Sequence, residues 1–252
     1  MDPIKLAAGT GAGALIAAGG GYLTYSSLYG LHLPTVLAEL SNLNTVYSDA
    51  ESFGRKNSLY LVDPDSNQWW WKEKYEAFKR DVTGDAKDKL GETFKDTTKV
   101  ASSFGSEATA LNTICKTAFT GKENALSSED KKESNVWTYC SLLEGKPILV
   151  SSSNYSDKRG NSHKDKAVAI DVKNDIFWNL RNDEFFGRRK EIYKGELATQ
   201  NSKFRELFYK KKKEKDDTIK KVCEDAYESE TSDNSNYPEA DIKRFCYLSP
   251  EQ

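Results

Sequence analysis

From Leu6 through Ala38 the chain runs 33 residues without an Asp, Glu, Lys or Arg, and the 214 residues that follow are polar and densely charged. About 20 apolar residues span a bilayer as a helix. A start of this kind therefore reads as a membrane anchor over residues 4–33. Gly9, Gly13, Ala17 and Gly21 recur at four-residue steps, which puts small side chains on one helix face and lets a second helix approach. Tyr22, Tyr25 and Tyr29 follow as an interfacial aromatic belt would. Two other readings stay open. One is a cleaved signal peptide, although Lys5 alone makes a thin basic region and the run outlasts a normal signal core. The other is a phosphate loop at Gly9-Thr-Gly-Ala-Gly, but that fingerprint needs a preceding strand and an acidic residue about 20 positions on. None appears before Glu39. Lys5 precedes the run and the next basic residue is Arg55, so the positive-inside bias places the body outside.

The body is modest in apolar content, and a small core often needs staples. The net charge of −2 conceals 37 basic and 39 acidic residues, a balance that argues against a dedicated nucleic-acid binder. Aromatic residues make up 12%, too many for a wholly disordered chain.

That body repeats itself. At an offset of 108, Tyr47-Ser-Asp49 returns as Tyr155-Ser-Asp157, Asp63 as Asp171, Trp70 as Trp178, Phe78 as Phe186, Arg80 as Arg188 and Cys115 as Cys223. After a two-residue shortening, Trp137-Thr-Tyr-Cys140 matches Lys243-Arg-Phe-Cys246. The expected organisation is an anchor over 1–34 and two tandem modules, 35–150 and 151–252.

Each module reads as mostly helical. Asp63-Pro64 looks like an N-cap with Pro at the first helical position. Trp71, Tyr75, Phe78 and Val82 then share one face. Trp178, Phe185 and Ile192 do so in the second copy, which opens at Asp171. A second helix is expected through Phe104, Ala108, Leu111, Cys115 and Ala118, and its counterpart through Ile219, Val222, Cys223, Ala226 and Tyr227. Leu59–Val62 and Ala167–Ile170 are candidate short strands, so the class is mainly α with room for α+β. The triple Trp69–Trp71 is either core or a binding platform, and core packing is the blander choice.

Four cysteines without a C-x2–4-C pair suit disulfides better than a metal site. Of three possible pairings the repeat favours Cys115–Cys140 and Cys223–Cys246, against an alternative of four buried thiols. Each loop would contribute about 3 kcal/mol by chain entropy and requires an oxidising compartment.

No catalytic constellation stands out. His32 and His163 belong to no metal-spaced pair and read as surface residues, and no G-x-S-x-G elbow occurs. Lys210–Lys213 would suit nucleic acid or anionic lipid, but Glu206, Glu214, Asp216 and Asp217 surround it, so a solvated helix face is the expectation. No cofactor or metal is expected, and no nucleic-acid partner.

The opening Met-Asp-Pro-Ile-Lys-Leu-Ala-Ala-Gly-Thr-Gly-Ala-Gly, with Trp71-Lys-Glu-Lys-Tyr75-Glu-Ala-Phe78, Leu111-Asn-Thr-Ile-Cys115 and Trp137-Thr-Tyr-Cys140, resembles large paralogous families of uncharacterised proteins in haemotropic mycoplasmas. The resemblance implies membrane-associated proteins of wall-less bacteria, with surface variation and host contact, and carries over no catalytic residue. The expectation is a single-pass protein of the cell membrane with an extracellular body and no enzymatic activity. Its partners are the bilayer through residues 4–33 and a host protein or antibody, with self-association through the small-residue stripe. An anchored enzyme with an unrecognised site and a membrane scaffold are the alternatives.

Overall fold

Short helices joined by tightly bonded turns make up the body, and the computed structural model describes it over residues 33–127, 131–143, 145–187 and 194–250. The first half holds α1 (Leu43–Val46), α2 (Phe53–Lys56), α3 (Gln68–Thr83), α4 (Leu111–Thr120), α5 (Glu123–Ser127) and α6 (Lys132–Cys140). The second holds α7 (Arg159–Ser162), α8 (Asp175–Phe185), α9 (Lys203–Tyr209), α10 (Ile219–Glu228) and α11 (Glu239–Phe245). Among the described residues no helix is long and apolar enough to cross a membrane. The expected anchor, with Gly9, Gly13, Ala17, Gly21 and His32, lies outside the described residues apart from Leu33.

The cysteine helices show how the core forms. Leu111, Cys115, Ala118 and Phe119 are buried at i, i+4, i+7 and i+8 of α4. Ile219, Cys223, Ala226 and Tyr227 repeat the pattern in α10, where Thr218 caps the first turn by accepting the Lys221 N–H. The helix expected from Phe104 begins instead at Leu111. Asn112 Oδ1 accepts the Gly105 N–H at 3.0 Å and Thr113 Oγ1 donates to Gly105 O at 2.8 Å. Those two bonds fold residues 102–110 into a turn and leave Ala108 exposed. Packing repeats too: α4 lies on α2, α3 and α6, and α10 lies on α7, α8, α9 and α11.

Disulfides Cys115–Cys140 and Cys223–Cys246 join α4 to α6 and α10 to α11, with Cα atoms 5.7 and 5.8 Å apart. No described cysteine is free.

The two candidate strands become single β-bridges, and the described residues form no sheet. Leu37 N–H donates to Leu61 O at 2.9 Å, Asp63 N–H to Thr35 O at 2.9 Å and Val62 N–H to Cys140 O at 3.1 Å. In the second half Val150 donates to Ala167 O at 2.8 Å, Ala169 to Ile148 O at 2.9 Å and Val168 to Cys246 O at 3.0 Å. Each apolar run thus lies between a leading segment and the chain beside the second cysteine.

These bonds correct the register of the repeat. Val62 matches Val168 and Cys140 matches Cys246, so Asp63 stands where Ala169 does, not where Asp171 does. Trp71 matches Trp178: its Nε1–H donates to Asp63 O at 3.2 Å, as Trp178 donates to Ala169 O at 3.1 Å. Trp70 therefore corresponds to Phe177, and both lie edge-on to the following indole. Phe78 matches Phe185 rather than Phe186, since Phe78 meets Tyr139 at 5.7 Å as Phe185 meets Phe245 at 5.1 Å. Tyr47 and Tyr155 keep the expected match, edge-on to Phe119 and Tyr227. The hydrogen bonds hold each piece in register while the turns between pieces differ in length.

The first long helix also starts late. Asp63 spends its carboxylate on the Asp65 N–H (3.1 Å) and the Ser66 hydroxyl (2.6 Å), a turn that delays the helix to Gln68. Asp171 does act as a cap, accepting the Lys173 N–H at 2.8 Å, and a single turn over Val172–Asn174 leads into α8.

Candidate interaction surfaces

Polar side chains at the junction of the halves form the most elaborate cluster. Arg181 on α8 is 1% exposed, and its Nη2 donates to the Tyr60 hydroxyl at 2.6 Å and to Tyr247 O at 3.1 Å. Its Nη1 pairs with Glu184 at 3.0 Å, and its guanidinium faces the Phe177 ring at 5.3 Å. A buried cation needs partners of this kind. The arrangement fixes α8 against both halves.

Next to it, His163 corrects an expectation. It is 1% exposed instead of lying on the surface. Its Nδ1 is 2.9 Å from the Tyr247 hydroxyl and its Nε2 is 3.2 Å from the Glu239 carboxylate. The turn of α7 carries it inward because Gly160 lets the Tyr155 ring approach; a Cβ there would meet the ring at 2.6 Å. In the first half Asn57 occupies the matching place, buried with its amide donating to Phe53 O. Sequence reasoning missed His163, Tyr247 and Arg181 as a group. The fixed offset of 108 sets Asn57 against Asp165, so the match of Asn57 with His163 shows only in the corrected register.

Other expectations sort as follows. Trp70 and Trp71 are core, while Trp69 is 41% exposed. Lys210–Lys213 is not a helix face: α9 ends at Tyr209 and the run lies in the loop beyond it. The four cysteines are spent in disulfides. Among the described residues no group of three His, Cys, Asp or Glu is placed to hold a metal ion.

Among the described residues two open hollows stand out. The first, about 450 Å³, lies beside α5 and α6. Its described charges largely cancel: Lys56 meets Glu51 at 2.6 Å and Lys146 meets Glu133 at 2.7 Å. Glu133 also faces the Trp137 Nε1 at 3.4 Å. Such a surface suits contact with a polar partner. The second, about 500 Å³, lies beside α9 and is lined by Asn201, Arg205 and Tyr209 among others. Comparison with protein-family models, curated proteins and solved structures finds no match to this chain.

Proposed function

We propose that this chain is a membrane-anchored protein whose body faces outward and serves host contact or antigenic diversity. The observation that carries the reading is the pair of disulfides. Each staples two short helices in a body whose described residues form no sheet, and such bonds persist in oxidising surroundings. The 33-residue uncharged run supplies the anchor. The resemblance of the opening segment to haemotropic mycoplasma surface families agrees with it. Exposed Trp69 and Tyr209 give the body side chains of the kind that anchor protein contacts.

Protease shaving of intact cells that carry the full chain tests location. Cleavage within 39–252 on intact cells is expected, and a body protected until the cells are lysed rejects the reading. Alkylation of the denatured, unreduced protein tests the compartment. No reactive thiol is expected; four would reject it.

A further inference from the structure

Between Lys194 and Lys221 the chain carries ten basic and five acidic residues, a net +5, whereas the rest of the chain nets −7. This segment forms one continuous region. The single turn Gly195–Leu197 packs on α9, and α9 packs on α10. Ser202 caps α9 by accepting the Arg205 N–H at 3.1 Å. Arg205 donates to Glu196 O at 2.6 Å and Ala198 O at 3.1 Å, and its guanidinium lies 4.9 Å from the centre of the Tyr209 ring. Tyr209 is 55% exposed and Leu197 52%. Gln200 and Asn201 stand exposed on the second hollow beside them.

The loop after α9 is ordered by one carboxylate. Asp217 accepts Lys210 Nζ at 2.8 Å and the Glu214 N–H at 2.6 Å, and these bonds hold its carboxyl below the usual range, the backbone bond first. Lys213 folds over the Phe186 ring at 4.6 Å and donates to Lys210 O. Lys211, Lys212 and Lys215 are exposed and enter no ion pair among the described residues. Around them charge is already spent, since Lys203 pairs with Glu206, Lys220 with Asp175 and Lys221 with Glu224.

The fold itself does not require this face. Phe94 stacks on Tyr139 in the first half as Phe204 lies on Phe245 in the second. There Lys95 and Lys99 both turn onto Glu92, at 2.7 and 3.5 Å, so the lysines of the matching surface are held by a carboxylate.

We propose that the Leu197–Lys215 face binds an anionic polysaccharide, a chain of carboxylated or sulfated sugars. Lys211, Lys212 and Lys215 meet the charges, the amides of Gln200 and Asn201 bond sugar hydroxyls, and the Tyr209 ring takes a sugar's C–H face. A single exposed ring is no platform for successive bases, which single-stranded nucleic acid uses. Leu197 and Tyr209 are too small an apolar footprint to lie in a lipid surface, and most residues lining the hollow beside them are polar. The proposal deepens the outward-facing reading, yet it rests on a separate measurement: shaving that rejects the location leaves the binding result intact.

The test is retention of the full-length protein, its opening segment held in nanodiscs of zwitterionic phosphatidylcholine, on immobilised heparin, with soluble heparin, neutral dextran, single-stranded DNA and phosphatidylglycerol vesicles as competitors. Heparin is bound and dextran does not compete. The triple variant Lys211→Ala, Lys212→Ala, Lys215→Ala weakens binding about tenfold, as three exposed charge contacts would. Tyr209→Ala weakens it about threefold and leaves its salt dependence unchanged, because no charge is removed. Both variants melt like the parent. Full affinity in the triple variant overturns the site. Competition by DNA or vesicles as strong as that by heparin overturns the polysaccharide.

Discussion

Asn174 grips Ile148 by both ends of its carboxamide. Oδ1 accepts the Ile148 N–H at 2.9 Å and Nδ2 donates to Ile148 O at 2.8 Å, so the side chain continues the backbone pairing of Ile148 with Ala169 where that pairing ends. Asn67 does the same for Thr35, at 2.9 and 3.1 Å. Each asparagine thereby docks the leading segment of its half onto the helix that follows.

Asn174 is 2% exposed and Asn67 is half-buried. Asn174→Ala removes three hydrogen bonds of a nearly buried carboxamide and is expected to cost roughly 3 kcal/mol, against about 1 kcal/mol for Asn67→Ala. In a chain of this size the first lowers Tm by roughly 6–12 °C. Calorimetry of the two variants checks it, and equal small shifts would refute the clamp.

Arg181 and Tyr60 are 121 residues apart and joined by a 2.6 Å hydrogen bond. Arg181→Ala removes a buried cation that pairs with Glu184 and bonds Tyr60 and is expected to cost about 3–5 kcal/mol. Tyr60→Phe removes one bond to a charged donor, worth about 1.5–3 kcal/mol. The double variant is expected to lose less than the sum by at least about 0.5 kcal/mol. Strict additivity in urea unfolding would show that the halves are not coupled through this contact.

Several tyrosines resist ionisation. Burial pushes Tyr139 up, aided by the hydroxyl's 2.6 Å bond to the Asp81 carboxylate. Burial does the same for Tyr227 and Tyr47. A raised folded-state value means the neutral phenol is favoured in the native protein. The stability so gained is complete below the unfolded value of about 10 and is lost as pH rises past it. Spectrophotometric titration of the 13 tyrosines is expected in two waves, the later one coinciding with loss of helical circular dichroism. One wave near pH 10 with the helices intact would contradict the burial of these rings.

The legible parts of the fold were those with short range. The α10 stripe at Ile219, Cys223, Ala226 and Tyr227 was plain because apolar spacing along one helix is local. The disulfide pairing followed from comparing two copies. The helix starts were misread where side chains had other work: Asp63 resembled a cap, but its carboxylate closes a turn instead. The Trp70 match failed because identity at a fixed offset ignores turns of different length. The exposed loop at Lys210–Lys213 was mistaken for a helix face because Lys is a good helix former and nothing local marks the end of α9 at Tyr209.

By itself the sequence determined the uncharged opening, the charged body, the two cysteine pairs and the helix faces that carry them. Each depends on residue type and on spacings within a turn or two, or on repetition. Only the tertiary structure decided that His163 is buried against a tyrosine 84 residues away, that Arg181 closes the junction, and that Asn67 and Asn174 extend the backbone pairing of Thr35 and Ile148. Those outcomes depend on which distant groups arrive together when the loops close, and on the need of every buried donor and acceptor for a partner.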